Sequence, residues 1–258
     1  MKINTFQWEN LIQFSKRKIS LKTPELEVVS YKIQTLKRNS NLHIVFISDT
    51  HFGKYSPPAN KIITLINDLN PDYIIFGGDI ASESSGLQDA FEFLSSIKAK
   101  YAKISVLGNW ELKRSRFKNL SYWRTNYLNA GFELLHNRFI ETEDCIIYGI
   151  SPKRRFHKGS TNIPKTEKAI LFCAHSPDDI VSEDSYFDLA LSGHTHAGQI
   201  RIPLFGALKT SSIYWKKFEY GLFKRNDGAK LIVSSGIGTS CLPIRIFCPP
   251  EIVSINLC

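Results

Sequence analysis

Apolar positions along this chain form short runs that alternate with helical stripes through the first half. The second half is dominated by runs alone. Glu25-Leu26-Glu27-Val28-Val29-Ser30-Tyr31-Lys32-Ile33 alternates polar and apolar residues, the pattern of a half-exposed strand. Leu42 to Ile47 is a run of the kind that a strand covered on both faces produces. Pro57-Pro58 then opens a helix with Ile62, Ile63, Leu65, Ile66 and Leu69 on its face, and Asn70-Pro71 stops it. Tyr73-Ile74-Ile75-Phe76 predicts a second buried strand. Leu87, Ala90, Phe91, Leu94 and Ile97 mark the next helix, and Ile104-Ser105-Val106-Leu107 a third strand. Leu120, Trp123, Tyr127 and Ala130 stripe a further helix, closed by Gly131. Later runs at 145–150, 169–174, 187–191, 230–234 and 251–256 read as strands. The whole predicts a layered α/β domain, two sheets face to face with helices outside, over residues 24–258.

Residues 1–23 stand apart. Ile3, Phe6, Trp8, Leu11, Ile12 and Phe14 precede the basic cluster Lys16-Arg17-Lys18. Their spacing loosely fits a short amphipathic helix, either packed on the domain or lying on a membrane surface.

Composition narrows the class. Of 258 residues, 43% are apolar and 22% charged, which excludes a disordered chain. No apolar run approaches the ~18 residues of a spanning helix, and no cleavable signal peptide is legible. The five cysteines are widely spaced without a C-x-x-C pair, which predicts reduced thiols in a cytoplasmic protein. The net charge of +9 calls for an anionic partner: nucleic acid, a phosphorylated small molecule or an acidic lipid surface.

Candidate chemistry sits at the ends of the predicted strands, where open α/β sheets collect ligands. Three successive strands run into Asp49-Thr50-His51, Gly78-Asp79 and Gly108-Asn109. Two later runs lead into His175 and into Gly193-His194-Thr195-His196. Alone, each of these is more often a helix cap or a surface histidine. Together they deliver carboxylates, an amide and imidazoles in a pattern that caps do not produce. Mixed nitrogen and oxygen donors suit Mn²⁺, Fe²⁺ or Zn²⁺, and seven side chains exceed what one ion with an open position needs. A pair of ions bridged by a carboxylate is the arrangement of two-metal hydrolysis sites.

On these motifs the chain resembles the calcineurin-like metallophosphoesterase superfamily. Gly198-Gln199-Ile200, the stretch Val233 to Ser240, and Pro243-Ile244-Arg245-Ile246 with Pro249-Pro250-Glu251-Ile252 are similar to its YkuE/YaeI-type branch. The resemblance implies a four-layer α/β/β/α sandwich of two mixed sheets and a metal-dependent hydrolase. It assigns one ion to Asp49, His51, Asp79 and His196, and the other to Asp79, Asn109, His175 and His194. Asp79 would bridge, and Asp79, Asn109 and His194 would stand at the reacting centre. Two divalent cations are implied, Mn²⁺ first. His43, His136 and His157 lie outside the motifs and read as structural or surface residues.

One position departs from that family. Its usual Gly-Asn-His-Asp/Glu is here Gly108-Asn109-Trp110-Glu111, so the histidine that assists the leaving group is replaced by an indole. A simple alkoxide needs a proton as it leaves, worth about 10²–10⁴ in rate, whereas a phosphate ester leaving from a pyrophosphate does not. The reading is therefore a pyrophosphatase acting on a nucleotide-linked lipid such as UDP-2,3-diacylglucosamine. That substrate is suggested by the related enzymes of lipid A synthesis. The alternatives are a broad phosphodiesterase or phosphatase and a catalytically silent binding module. Trp110, Arg114, Arg116, Arg154 and Arg155 are the expected substrate contacts, guanidinium forks suiting phosphate oxygens.

The charge itself is concentrated. Residues 1–40 carry +5, residues 110–125 carry +4 and residues 151–170 carry +5, leaving −5 for the rest. That argues against a nucleic-acid coat and for a phosphorylated substrate. Ile213-Tyr214-Trp215-Lys216-Lys217-Phe218 mixes aromatics with lysines as membrane-interface segments do. With the N-terminal segment it predicts a peripheral seat on the acidic inner face of the cytoplasmic membrane.

Overall fold

The computed structural model describes residues 7–10, 24–35, 41–113, 118–152, 163–203 and 205–258. Its first sheet has six strands, ordered β2 (Glu27–Ile33), β15 (Glu251–Leu257), β3 (Leu42–Ile47), β4 (Tyr73–Phe76), β5 (Ala102–Ser105) and β6 (Phe132–Leu134). β3 to β6 are parallel, and β15 runs antiparallel to β3 but parallel to β2. The second sheet has seven, ordered β1 (Trp8–Asn10), β13 (Gly221–Arg225), β14 (Lys230–Val233), β10 (Leu189–Ser192), β9 (Ala169–Ala174), β8 (Cys145–Ile150) and β7 (Arg138–Glu141). Its centre, β14-β10-β9-β8, is parallel and both flanks are antiparallel. A small hairpin, β11 (Arg201–Ile202) with β12 (Gly206–Ala207), stands apart.

The alternation of side chains along each strand explains the layering. Ile44, Phe46, Ile75 and Ile104 of the first sheet meet Ile147, Leu171, Leu189, Leu191 and Ile232 of the second in a dry core. Val45, Ile47, Ile74 and Phe76 point the other way. There they are covered by α1 (Ala59–Leu69), α2 (Leu87–Ser96) and α4 (Leu120–Asn129) through Ile62, Ile66, Leu94 and Tyr127. Each such side chain contributes about 1.5–3 kcal/mol by leaving water. The outer face of the second sheet is closed more thinly. α5 (Pro177–Val181) supplies Ile180, and Phe187, Phe218 and Phe223 come from loops, a short 3₁₀ turn and β13. This is the mixed α/β architecture expected, with α5, loop side chains and the 3₁₀ turn covering the second sheet among the described residues.

The helix limits follow local chemistry. α1 begins after Pro58 and ends where Asn70 turns left-handed. α4 is capped by the Asn119 side chain, which accepts from the Tyr122 N–H, and closes at Ala130 before Gly131 at φ 79°. One expectation needs correction. Trp8–Asn10 is not helical but pairs antiparallel with β13, Trp8 opposite Arg225, and the Trp8 ring meets Phe218 edge-on at 5.8 Å. The rest of the N-terminal segment, with Lys16, Arg17 and Lys18, lies outside the described residues.

Candidate metal centre

Five strands of the two sheets deliver the candidate ligands. β3 runs into Asp49 and His51, β4 into Asp79, and β5 into Asn109, which opens the short helix α3 (Asn109–Lys113). β9 ends at His175 and β10 runs into His194 and His196. Crossed loops bind the two sheets together here. The Asp49 N–H donates to Gly78 O (2.9 Å), His51 N–H to Asp79 O (3.1 Å), Gly193 N–H to His175 O (2.9 Å) and Gly238 N–H to Asp49 O (2.7 Å). Asp49 accepts from the His194 N–H, which joins the first sheet to the second.

The backbone is strained where the ligands sit. Asp49, His51, Asp79, His194 and His196 all have left-handed φ, between 48° and 70°. Non-glycine residues hold that conformation at a cost of order 1–3 kcal/mol each, and it persists only where the surroundings over-determine it. Two glycines make the crowding possible. A Cβ on Gly193 would overlap Ser48 and the Asp49 carboxylate, and one on Gly108 would overlap Asp79.

The donor atoms gather in two buried clusters, Asp49–His51–His196 and Asp79–His175–His194, each with its atoms within 4.8 Å of one another. In the second, His175 Nε2 lies 3.1 Å from His194 Nδ1, 3.0 Å from Asn109 Oδ1 and 3.2 Å from Asp79 Oδ2. In the first, His51 Nε2 lies 3.1 Å from His196 Nε2, which is 3.5 Å from Asp49 Oδ1. Asp79 Oδ2 is also 3.6 Å from His51 Nε2, so this carboxylate stands between the clusters.

The outward nitrogens decide what these atoms offer. His175 Nδ1 donates to Gly77 O at 2.8 Å, which turns Nε2 toward the cluster. His194 Nδ1 faces His175 Nε2. Ser82 Oγ sits 3.0 Å from His51 Nδ1. The inward nitrogens of His175 and His194 stand 3.1 Å apart among carboxylate and amide oxygens. A divalent cation satisfies all of them, so the residues fit the two ions that the motifs imply.

The charges of the cluster agree. Burial works to raise Asp79, but His175 outweighs it and holds the carboxyl at about 2. Burial works to lower His175, but Asp79 and Asp49 hold it up at about 10. His194 is pushed down to about 4 by burial and the neighbouring His175, and His196 falls well below the ordinary value for the same kind of reason. His175 therefore holds a proton against Asp79, while burial raises Asp49 and keeps His194 and His196 neutral; a bound cation would take that proton's place.

Two residues without a role in the motif reading hold this geometry. Glu111 is buried and its carboxylate accepts from the N–H groups of Asp79 (3.1 Å), Ile80 (2.8 Å) and Gly108 (2.9 Å). It also faces the Tyr127 hydroxyl at 3.3 Å. Burial and the nearby Asp79 push it up to about 7. Arg245 is buried too. Its guanidinium donates to the carbonyls of Ser235, Gly236 and Gly238 and comes within 3.4 Å of His196 Nδ1. The available signals were a carboxylate following Gly-Asn by two residues and a lone arginine inside an apolar segment.

The Trp110 N–H donates to Asp79 Oδ1 (2.8 Å), and its indole stands edge-on to His51 with centroids 5.7 Å apart. Lys113 Nζ lies 4.9 Å from the centre of that ring. Arg114, Arg116, Arg154 and Arg155 fall outside the described residues, as does His157. His43 bonds Ser254 and His136 bonds Ser151, both away from the clusters.

Comparison with known proteins agrees with the geometry. A metallophosphoesterase of Campylobacter jejuni is 31% identical over 92% of this chain and 64% of its own length. Metallophosphoesterase YkuE of Bacillus subtilis is 27% identical over 83% of this chain and 78% of its own. Phosphodiesterase YaeI of Escherichia coli is 28% identical over 90% and 88%. The chain spans just under two thirds of the length of the Campylobacter relative. The family model described as calcineurin-like phosphoesterase matches residues 42–198, the segment that contains all seven candidate ligands, and the chain belongs to that family.

Proposed function

We propose that the protein is a dinuclear-metal phosphoester hydrolase whose preferred bond is the pyrophosphate of a nucleotide-linked lipid, with UDP-2,3-diacylglucosamine the first substrate to test. The observation that carries this reading is Trp110 in a site otherwise complete. Asp49, His51, Asp79 and His196 would hold one ion, and Asp79, Asn109, His175 and His194 the other, Mn²⁺ being the first choice. When bound, two such ions acidify water and withdraw charge from phosphoryl oxygens.

The chain's own residues do the rest. Glu111 fixes the loops of Asp79 and Asn109, and Arg245 fixes the loop of His196. Asp79 lies between the clusters and orders both. An indole N–H gives up no proton to a leaving group, so Trp110 leaves the departing oxygen to bear its own charge. A nucleoside monophosphate leaving from a pyrophosphate bears it readily, and an alkoxide does not. The indole's flat face also suits stacking on a base or an acyl chain.

The test is Mn²⁺-stimulated release of UMP from that lipid, with Asp79→Ala as blank. Release above the blank supports the reading. No release, beside robust turnover of a nitrophenyl diester, removes the lipid and leaves the second reading, a broader phosphodiesterase. YaeI, named a phosphodiesterase, favours that second reading. The lipid reading includes an acidic inner membrane face as the place where substrate is met. Among the described residues no helix is long and apolar enough to cross a membrane.

A further inference from the structure

Residues 200–217 follow the last candidate ligand and carry Arg201, Lys209, Lys216 and Lys217 with no acidic residue. Among the described residues, they also carry six of the exposed large apolar side chains. Phe205 and Ile213 are each 74% exposed, Trp215 56%, Leu208 55% and Ile202 43%. Single exposed apolar residues are ordinary, but a group of them on adjoining turns marks an interaction site.

The group is one built surface. Phe205 lies in the turn of the β11–β12 hairpin, and Lys216 Nζ donates to its carbonyl at 3.1 Å. That bond sets the hairpin beside the 3₁₀ turn Trp215–Phe218. Phe218 anchors the turn from below against Trp8, Tyr214 and Phe223. Arg201 pairs with Glu219 at 2.8 Å and donates to Ala197 O at 2.9 Å. Trp215 is held at φ 56°, a conformation that a bulky residue adopts only under constraint, yet its ring is turned to solvent. A surface that only needed solubility has no use for such an arrangement.

Charge selects the occupant. Glu219 is paired with Arg201, and Asp178 accepts from Ser212 and the Ile213 N–H, while Lys209, Lys216 and Lys217 share these turns with the apolar tips. Aromatic and aliphatic tips interspersed with lysines match the headgroup region of an anionic bilayer. The surface is also wired to the metal centre. Thr195, between the candidate ligands His194 and His196, donates its Oγ1 hydroxyl to Glu219 O at 2.6 Å.

We infer that the hairpin and the Ile213–Lys217 turn seat the protein on an anionic membrane surface, with the metal centre beside the headgroups. The benefit for catalysis rests on the lipid-substrate reading; the seating itself does not. The test is co-sedimentation with vesicles of phosphatidylglycerol in phosphatidylcholine against pure phosphatidylcholine. The wild type is expected to bind the anionic vesicles and to be released by salt. Phe205→Ser with Ile213→Ser, and separately Lys216→Glu with Lys217→Glu, should each weaken binding at least about tenfold. Both double variants should hydrolyse a soluble nitrophenyl diester like the wild type, which shows that they fold.

No sedimentation, or sedimentation that neither double variant weakens, overturns the inference. So does a concentration-dependent dimer that the serine variant dissolves, since a second copy would then be the occupant. Vesicle binding without cleavage of the lipid pyrophosphate would sink the substrate reading and leave the surface standing.

Discussion

The metal centre and the apolar rim beside it are built on opposite terms. In the centre, strained backbone and buried charge are held by crossed hydrogen bonds, and two carboxylates, an amide and four imidazoles point inward. At the rim, a hairpin and one short turn hold apolar rings outward into water. The first region carries the motifs of the calcineurin-like phosphoesterase family. The second is proposed to set where the chain meets its substrate. Such a division predicts that substitutions in the centre lower all activity, whereas those at the rim change placement alone.

The largest effect should come from the residue that both clusters share. Asp79→Ala removes a donor from each cluster and should lower hydrolysis of an activated diester by at least about 10³. The same variant should retain fewer divalent ions per chain by metal analysis. Retained activity would mean that the two clusters do not act as one centre.

Next come the groups that hold the ligands. Glu111→Ala strands three buried N–H groups, each costing about 1–3 kcal/mol, so the urea midpoint should fall clearly. Glu111→Gln keeps the shape but offers poorer acceptors. It should lower kcat about 10–100-fold with a smaller change in KM, as expected for a positioning residue.

Trp110→His sharpens the contrast within the centre itself. It restores a proton donor, so alkyl phosphodiesters should gain about 10²-fold while a nitrophenyl diester changes little. Equal changes for both would show that the indole is not what sets the leaving-group demand.

The smallest effect lies far from both regions. Asp72 is worked upward by burial, but the His43 N–H and Lys100 hold its carboxyl below the ordinary 3.8. A depressed acid stabilises the fold above its unfolded pKa and stops doing so as pH falls through the folded value. Asp72→Asn should therefore be slightly less stable than wild type at pH 7, the gap closing below about pH 4 in urea titrations.

Much of the centre was legible because each ligand ends an apolar run, and a run that ends in Asp or His is a local signal. The same locality made the parallel strands readable. Trp8–Asn10 was not, because three residues become a strand only by pairing with Gly221–Arg225, more than two hundred positions away. Glu111 and Arg245 were passed over as site residues because their partners are backbone groups, which carry no sequence signature. The rim was half legible. Ile213, Tyr214 and Trp215 announce themselves among lysines, but Ile202, Phe205 and Leu208 look like core until the hairpin turns them out. The thin outer layer of the second sheet escaped too, since loop aromatics follow no period.

The central claim is that two metal clusters with an indole at Trp110 favour a leaving group that needs no proton. Rates across a series of aryl phosphodiesters of falling leaving-group acidity test it most directly, with the Mn²⁺-loaded wild type. The account predicts a steep loss of rate as the leaving group becomes more basic, and a shallower slope for Trp110→His. A flat dependence in the wild type would contradict it, since some other group would then be protonating the departing oxygen.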